Sequence, residues 1–332
     1  MNFILSEMTF LRYFMPLIIE GNSHGVRSNM FVGRSGKYNC PGRNLSTLQQ
    51  LSERHNFQLF DLSAITACQG PIILIEGVDI DTVRHMDNVK VSLTYMTDFI
   101  DSCKNYIDKI DYMVFPSEYF ANHYGKISEK NLYLGSPKYD CKRQSREELL
   151  EKYKLSDDKY ALVVYPRIRD IHRINLDKIY DFVRRMGYKV LVKTRGKDPA
   201  HTESHKGDHI YMDYSWYPHD TMELAQLSDF IINFDSTVIK ECVMMRTPLI
   251  NYNIKPNVRH GSKKGIRLKF LYDYRYCKQL EADSDFESLK EAVEYLVNSD
   301  LSSEFDRSIE KHLFEGNSSQ RILATLEQLQ RK

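Results

Sequence analysis

The stretch "DFIINFDSTVIKECVMMRTPLINYN", residues 229–253, begins with an apolar run of strand length and turns at Asp235-Ser236-Thr237. It then continues with helical spacing past Glu241, and Pro248 opens a second apolar run. Strand, helix and strand in so short a span make a crossover unit of a parallel sheet. The three small polar residues at the first corner have two readings. They are ordinary helix caps, or they are a phosphate seat built from backbone N–H groups and hydroxyls, with the helix dipole behind it. Glu241, one helical turn beyond Thr237 on the same face, is in reach of a ribose in the second reading.

The same alternation extends in both directions. Before residue 141 the strand candidates are "NFILS", "NMFVG", "FQLFDL", "PIILIEG", "VKVSLTY", "YMVFPS" and "LYLGS", with helical patterns such as "TFLRYFMPLIIEG" and "NLSTLQQLSERH" between several of them. A charged amphipathic helix, "SREELLEKYKL", follows, with Ser145 and a glutamate in the capping arrangement. A second series then runs "YALVVYP", "KVLVKTR", "HIYMD", "FIINFD" and "TPLINYN", and helical patterns close the chain. This predicts an α/β protein with mainly parallel sheets in two Rossmann-like domains, residues 1–142 and 143–305. A C-terminal helical segment, 306–332, is expected to pack back on the first domain.

Composition limits the function classes. The 332 residues are 42% hydrophobic and 27% charged, with a formal net charge of +1. These are globular proportions, and they supply no global basic field for nucleic acid. The six cysteines, at 40, 68, 103, 141, 242 and 277, form no close pair. That argues against a zinc ribbon or redox motif and fits a reducing cytoplasm. Glu7 and Arg12 interrupt the apolar opening, and no apolar run approaches the ~20 residues of a membrane helix. Peripheral attachment through Phe3, Phe10 and Phe14 at the inner face of a membrane stands as the alternative to their burial.

In open parallel sheets, ligands sit beyond the carboxyl ends of the strands. At those positions the second half offers Arg167 and Arg169, Lys193 and Arg195, Trp216, and Asp235, Ser236 and Thr237. Cations would neutralise a pyrophosphate, hydroxyls and N–H groups would bind its oxygens, and an aromatic residue would cover a base. Each of these residues alone also reads as solvated surface or a cap.

Several segments resemble known families. "REELLEKYKLSDDKYALVVYPRIRD" (146–170), "MELAQLSDFIINFDSTVIKECVMMRTPLINYN" (222–253) and "YLGSPKYD" (133–140) are similar to stretches of the teichoic-acid glycerophosphotransferases. "YLGSPKYD", "FEGNSSQRILATLEQL" (314–329) and "SEMTFLRYFMPLI" (6–18) resemble segments of the non-hydrolysing UDP-N-acetylglucosamine 2-epimerases. The resemblance implies the GT-B fold, two Rossmann-like domains facing across a cleft. It also implies phosphate or nucleotide contact for Arg167, Arg169, Ser236 and Thr237, and ribose contact for Glu241. Two departures stand out. "SLTYMTDF" (92–99) replaces both the epimerases' His-Glu segment and the glycerophosphotransferases' His-Gly pair, and "DSTVIKE" replaces the epimerases' glycine-rich corner.

The expected activity is a metal-independent glycosyltransferase using a nucleotide-sugar donor, UDP favoured over a CDP-polyol, and a glycan or lipid-linked acceptor in surface polysaccharide synthesis. A CDP-glycerol or CDP-ribitol phosphotransferase and an inactive scaffold are the alternatives. No cofactor, metal or nucleic-acid partner is expected; "DID" at 79–81 has only the letters of a metal motif. An inverting reaction needs a base. Glu7 and Asp98 are preferred over Glu76, Asp79, His24 and His85. The basic segment 255–267 is an acceptor-phosphate contact, a membrane-surface patch or a solvated loop.

Overall fold

The computed structural model describes residues 1–33, 41–95, 106–123, 128–140, 143–166, 168–194, 206–211, 216–254, 269–313 and 316–330. The chain divides into two compact units. Unit 1 comprises Met1–Cys141, Ser215–Pro218 and Glu310–Lys332, and unit 2 comprises Lys142–Tyr214 and His219–Ile309.

Unit 1 is built on seven strands: β1 (Asn2–Leu5), β2 (Asn29–Val32), β3 (Gln58–Asp61), β4 (Ile72–Ile75), β5 (Lys90–Leu93), β6 (Tyr112–Phe115) and β7 (Asn131–Tyr133). They form one sheet in the order β3-β2-β1-β4-β5-β6-β7, and every pairing is parallel. Central strands of a parallel sheet are covered on both faces, so they read as continuous apolar runs. Accordingly β1, β4 and β5 are buried along their whole length, whereas the edge strands β3 and β7 are half-exposed. Phe3, Phe10 and Phe14 lie in the core, at most 4% exposed. They therefore present no surface to a membrane. Among the described residues no helix is long and apolar enough to cross one.

Two segments far apart in sequence are built on each other in this unit. The Asp140 carboxylate accepts the backbone N–H groups of Ser318, at 3.0 Å, and of Ser319, so it caps the closing helix Ser318–Gln330 from 178 residues away. Arg321 Nε donates to Leu134 O at 3.1 Å. Gly135 (φ 86°) lies so close that a Cβ there would stand 2.3 Å from Ser318 Oγ. "YLGSPKYD" and "GNSSQRI" thus form one structural joint. Asp140→Ala should cost about 1–2 kcal/mol, the usual loss for a helix cap. Chemical denaturation of the variant measures it, and a change under ~0.5 kcal/mol would contradict the capping role.

Unit 2 carries β8 (Tyr160–Val164), β9 (Lys189–Lys193), β10 (His209–Tyr211), β11 (Phe230–Asn233), β12 (Leu249–Asn253) and β13 (Cys277–Glu281). The sheet order is β10-β9-β8-β11-β12-β13, again parallel throughout. The helix Arg146–Tyr153 opens with the expected capping box, Ser145 with Glu148. Strand β13 was not foreseen. After the buried Cys277 its sequence, CKQLE, alternates between half-buried and exposed because it is an edge strand, so it lacks the apolar run that marks a central one.

Candidate functional site

Both sheets are doubly wound, so each has one point where the strand order reverses. In unit 2 that point falls between β8 and β11, and ligands of open α/β sheets occupy such crevices. The segments that leave β8 and β11 are therefore the elements to build from.

After β8 the chain makes a short 3-10 helix, Ile168–Arg173, and then the helix Leu176–Arg185, capped by Asn175 through its bond from Lys178 N. A cavity of about 500 Å³ opens here, lined among others by Tyr165, His172, Arg173, Asn175, Asp177 and Tyr180. His172 and Arg173 are exposed at its rim. The Tyr180 hydroxyl is buried with no hydrogen-bond partner among the described residues, and burial raises its pKa, keeping it a proton donor.

After β11 comes the corner. Asp235 adopts φ 48°, the left-handed region that Asp and Asn tolerate better than most residues. Its carboxylate accepts from Asn251 Nδ2 at 3.0 Å and from Ile254 N at 3.2 Å. Its own N–H donates to Asn251 Oδ1 at 2.9 Å. Asp235 is thus the clamp of the corner. The following helix, Ile239–Met245, has seven residues, and its capping position is Val238 with no side-chain cap. Ser236 and Thr237 precede that position, both half-exposed, and neither serves as the cap. The dipole of so short a helix is a minor term. Glu241 is 4% exposed on its first turn.

The two segments are tied together. Arg173 Nη1 donates to Ile254 O at 3.1 Å, and Ile254 N donates to Asp235. Ile254, just past β12, therefore joins the β8 turn to the β11 corner. Lys193, at the end of β9 next to β8, is 4% exposed, and its Nζ reaches Thr194 O at 3.4 Å. Lys193 thus ends a strand on one side of β8, and Asp235–Thr237 follow a strand on the other. Arg169 lies in the 3-10 turn, but its side chain, like Arg167 and Arg195, falls outside the described residues.

Trp216 departs from expectation. It is 3% exposed and belongs to the hydrophobic core of unit 1. A large apolar ring following β10 is drawn into a core when one is within reach, and the sequence does not disclose which core that is.

The reversal in unit 1 falls between β1 and β4. Ser6 and Glu7 follow β1; Glu76 and Asp79 follow β4. Thr9 Oγ1 donates to Glu7 Oε2 at 3.2 Å. Glu76 is buried (φ 47°) and accepts from Tyr95 N at 2.9 Å, while Asp79 (φ 63°) accepts from the Ser6 hydroxyl. Asp81 is held by Lys109 at 2.7 Å. Among the described residues no group of three or more His, Cys, Asp or Glu could hold a metal ion. His24 follows the helix Leu11–Ser23 and pairs with Glu20 at 3.1 Å. Like His85, it leads into the amino end of a strand, so both lie away from the carboxyl ends. Asp98 and the basic segment 255–267 lie outside the described residues.

Sequence reasoning passed over Asn233, Asn251, Arg173 and Tyr272. A signal for the asparagines was present: "FIIN" and "LINYN" each place an Asn inside or at the end of a run that should be wholly apolar.

No protein-family model matches the chain, and no curated protein sequence matches it. Solved structures do. The wall teichoic acid polymerase TagF, in a variant soaked with CDPG, superposes with a TM-score of 0.68 at 11% identity, over 98% of this chain and 88% of that one. UDP-GlcNAc 2-epimerase from Methanocaldococcus jannaschii, in complex with UDP-GlcNAc and UDP, gives 0.58 at 12% identity over 98% and 99%. S. aureus MnaA with UDP gives 0.59 at 13% over 99% and 96%. At these identities the likeness concerns the fold. Two doubly wound, parallel, Rossmann-like sheets in one chain, matched end to end by these enzymes, are the GT-B fold.

Proposed function

We propose that the chain is a transferase that takes its group from a nucleotide-diphosphate donor bound at the β8/β11 reversal of unit 2. The favoured reaction is glycosyl transfer from a UDP-sugar to a glycan or lipid-linked acceptor. One observation carries the reading. The turn after β8, with His172 and Arg173 at a cavity of drug-like size, is tied through Ile254 to the hydroxyl-bearing corner after β11. Cations and hydroxyls on adjoining segments suit an anionic diphosphate with a polar nucleoside attached. In this reading Arg167, Arg169, Lys193, Arg195, Ser236 and Thr237 contact phosphate, and Glu241 contacts ribose. Glu7 removes the proton from the acceptor hydroxyl, with Asp98 as the alternative base. The acceptor oxygen bonds to the anomeric carbon as the bond to the nucleoside diphosphate breaks.

A second reading, transfer of a polyol phosphate from a CDP-activated donor, is favoured by the higher structural likeness to TagF soaked with CDPG than to the UDP-bound enzymes. There the acceptor oxygen attacks phosphorus and CMP departs.

Thermal shift separates the readings. A ligand at 100 times its Kd stabilises the native state by about 2.7 kcal/mol, a rise of roughly 5–10 °C for a domain of this size. A rise with UDP supports the first reading and a rise with CDP the second. No rise with either at millimolar concentration leaves an inactive scaffold and refutes both. Ser236→Ala and Glu241→Gln should each weaken the active nucleotide about tenfold, the loss expected for one hydrogen bond to a charged or hydroxyl-bearing ligand. Unchanged affinity in both would return the corner to a purely architectural role.

A further inference from the structure

Besides the cations at its rim, the cavity of about 500 Å³ after β8 is walled by Ile171, Ile174 and Leu176, all half-buried, and by Tyr165 and Tyr180, which are 6% and 1% exposed. A phosphate gains nothing from aliphatic walls. A flat heteroaromatic ring does, because its faces are apolar and only its edge is polar.

Tyr180 stands four residues after Leu176 on the helix Leu176–Arg185, so the two share a face. Helical side chains lean toward the N-terminus of their own helix, and here that end borders the cavity. The phenol therefore reaches back toward the cavity, and its buried hydroxyl has no hydrogen-bond partner among the described residues. A buried hydroxyl left unbonded destabilises the free protein, and a ligand that brings an acceptor relieves it. Burial, with Tyr165 adding to the effect, raises the Tyr180 pKa, so the group keeps its proton and donates. Two polar side chains stand beside it in the lining. Asn175 Oδ1 is occupied by Lys178 N at 3.0 Å, which leaves its amide nitrogen to donate. Asp177, bonded at Oδ2 to the exposed Lys206 at 2.6 Å, supplies an acceptor. Donors and an acceptor together match a ring edge that carries both carbonyl and N–H groups.

We propose that Tyr180 is a specificity-determining residue that donates its hydroxyl hydrogen to a ring carbonyl of the donor substrate's pyrimidine base, seated among the aliphatic side chains of this cavity. The inference deepens the nucleotide-diphosphate reading above and rests on it. It holds for a uridine or a cytidine donor alike, since both rings carry the 2-keto oxygen. A pocket that donates to a ligand oxygen rejects ligands without one, because its own buried group then stays unpaired.

The test uses the full chain and its Tyr180→Phe variant, which keeps the ring and removes only the hydroxyl. Binding of UDP, CDP, uridine, cytidine and inorganic pyrophosphate is measured by calorimetry, or by ligand-observed NMR for the weak ligands. The expected result is a loss of about three- to tenfold, equal for each diphosphate and its nucleoside, with pyrophosphate unchanged. The free variant should melt no lower than the unaltered protein, and up to about 4 °C higher, because an unbonded buried hydroxyl is gone. A melting point several degrees lower would give the hydroxyl a structural partner and overturn the assignment. Unchanged nucleoside affinity overturns it too, and so does an equal loss of pyrophosphate, which would put the contact at phosphate. Ile174→Phe is the second variant. It adds bulk to a half-buried wall of the cavity, and should lower nucleoside and diphosphate affinity more than tenfold while pyrophosphate binding is kept. Retained nucleoside binding in that variant would put the base elsewhere. If the unaltered protein binds neither UDP nor CDP, the donor reading falls and this inference with it; if it binds them and both variants bind as well, only the base seat falls.

Discussion

Asp235→Ala should destabilise unit 2 by about 3–4 kcal/mol. Placing a Cβ-bearing residue with no polar group at φ 48° costs about 1–2 kcal/mol, since alanine avoids the left-handed region. The remainder is the loss of a carboxylate that accepts from Asn251 Nδ2 and Ile254 N, leaving a donor of the wholly buried Asn251 unsatisfied. A substitution series separates the two contributions. Asp235→Gly relieves the backbone and loses only the side-chain bonds, so it should be about 1 kcal/mol better than alanine. Asp235→Asn tolerates the left-handed region and keeps an acceptor, so it should cost about 1 kcal/mol. Urea denaturation of the three variants gives the order Asn, Gly, Ala from most to least stable. If alanine and glycine prove equal, backbone strain plays no part at this corner. The alanine variant should also lose nucleotide affinity even where it stays folded, because the corner that Asp235 clamps is the proposed phosphate seat.

Glu223→Ala should cost about 2–4 kcal/mol. Glu223 joins the helix Asp220–Leu227 to the segment that opens unit 2. It accepts from Lys152 Nζ at 2.6 and 2.7 Å, from Gln144 Nε2 at 2.9 Å and from the Tyr153 hydroxyl. Its side chain is only 10% exposed. Breaking a buried ion pair commonly costs 3–5 kcal/mol because the partner is left charged and unsatisfied. The figure is reduced here because Lys152 is 38% exposed and can turn its ammonium to water. Tyr153 cannot do so as easily. Burial raises its pKa, with the Asp220 and Glu223 carboxylates adding to the effect, so the hydroxyl stays protonated and needs an acceptor. Glu223→Gln, which keeps an acceptor for Tyr153, should fall between the alanine variant and the native protein. Equal stability of all three would mean that the cluster is solvated in practice.

Much of the architecture was legible in the residues. Each of "NFILS", "PIILIEG" and "VKVSLTY", and likewise "YALVVYP" and "FIINFD", became a central parallel strand. Such strands are buried on both faces, and that burial favours mainly apolar runs, even where Lys90 and Ser92 stand within β5. Ser145 and Glu148 made the capping box that their spacing dictated, since both partners lie within one turn. The edge strand β13 stayed hidden, because an edge wetted on its outer side has no such run.

What the sequence by itself determined is the set of residues available at strand ends: cations after β8 and β9, and Asp235-Ser236-Thr237 after β11. Only the tertiary structure decided which partners the described ones among them meet. It assigned Trp216 to the core of unit 1, made Asp235 the clamp of its corner, and brought in Asn251, Tyr272 and Arg173 as supports. The physical reason is range. Apolar periodicity and capping act between neighbours in the chain, whereas the hydrogen bonds that shape this corner join residues 16, 19 and 36 positions apart. Those partners are chosen by the sheet order and the register of β11 on β12, which exist only once the strands have paired.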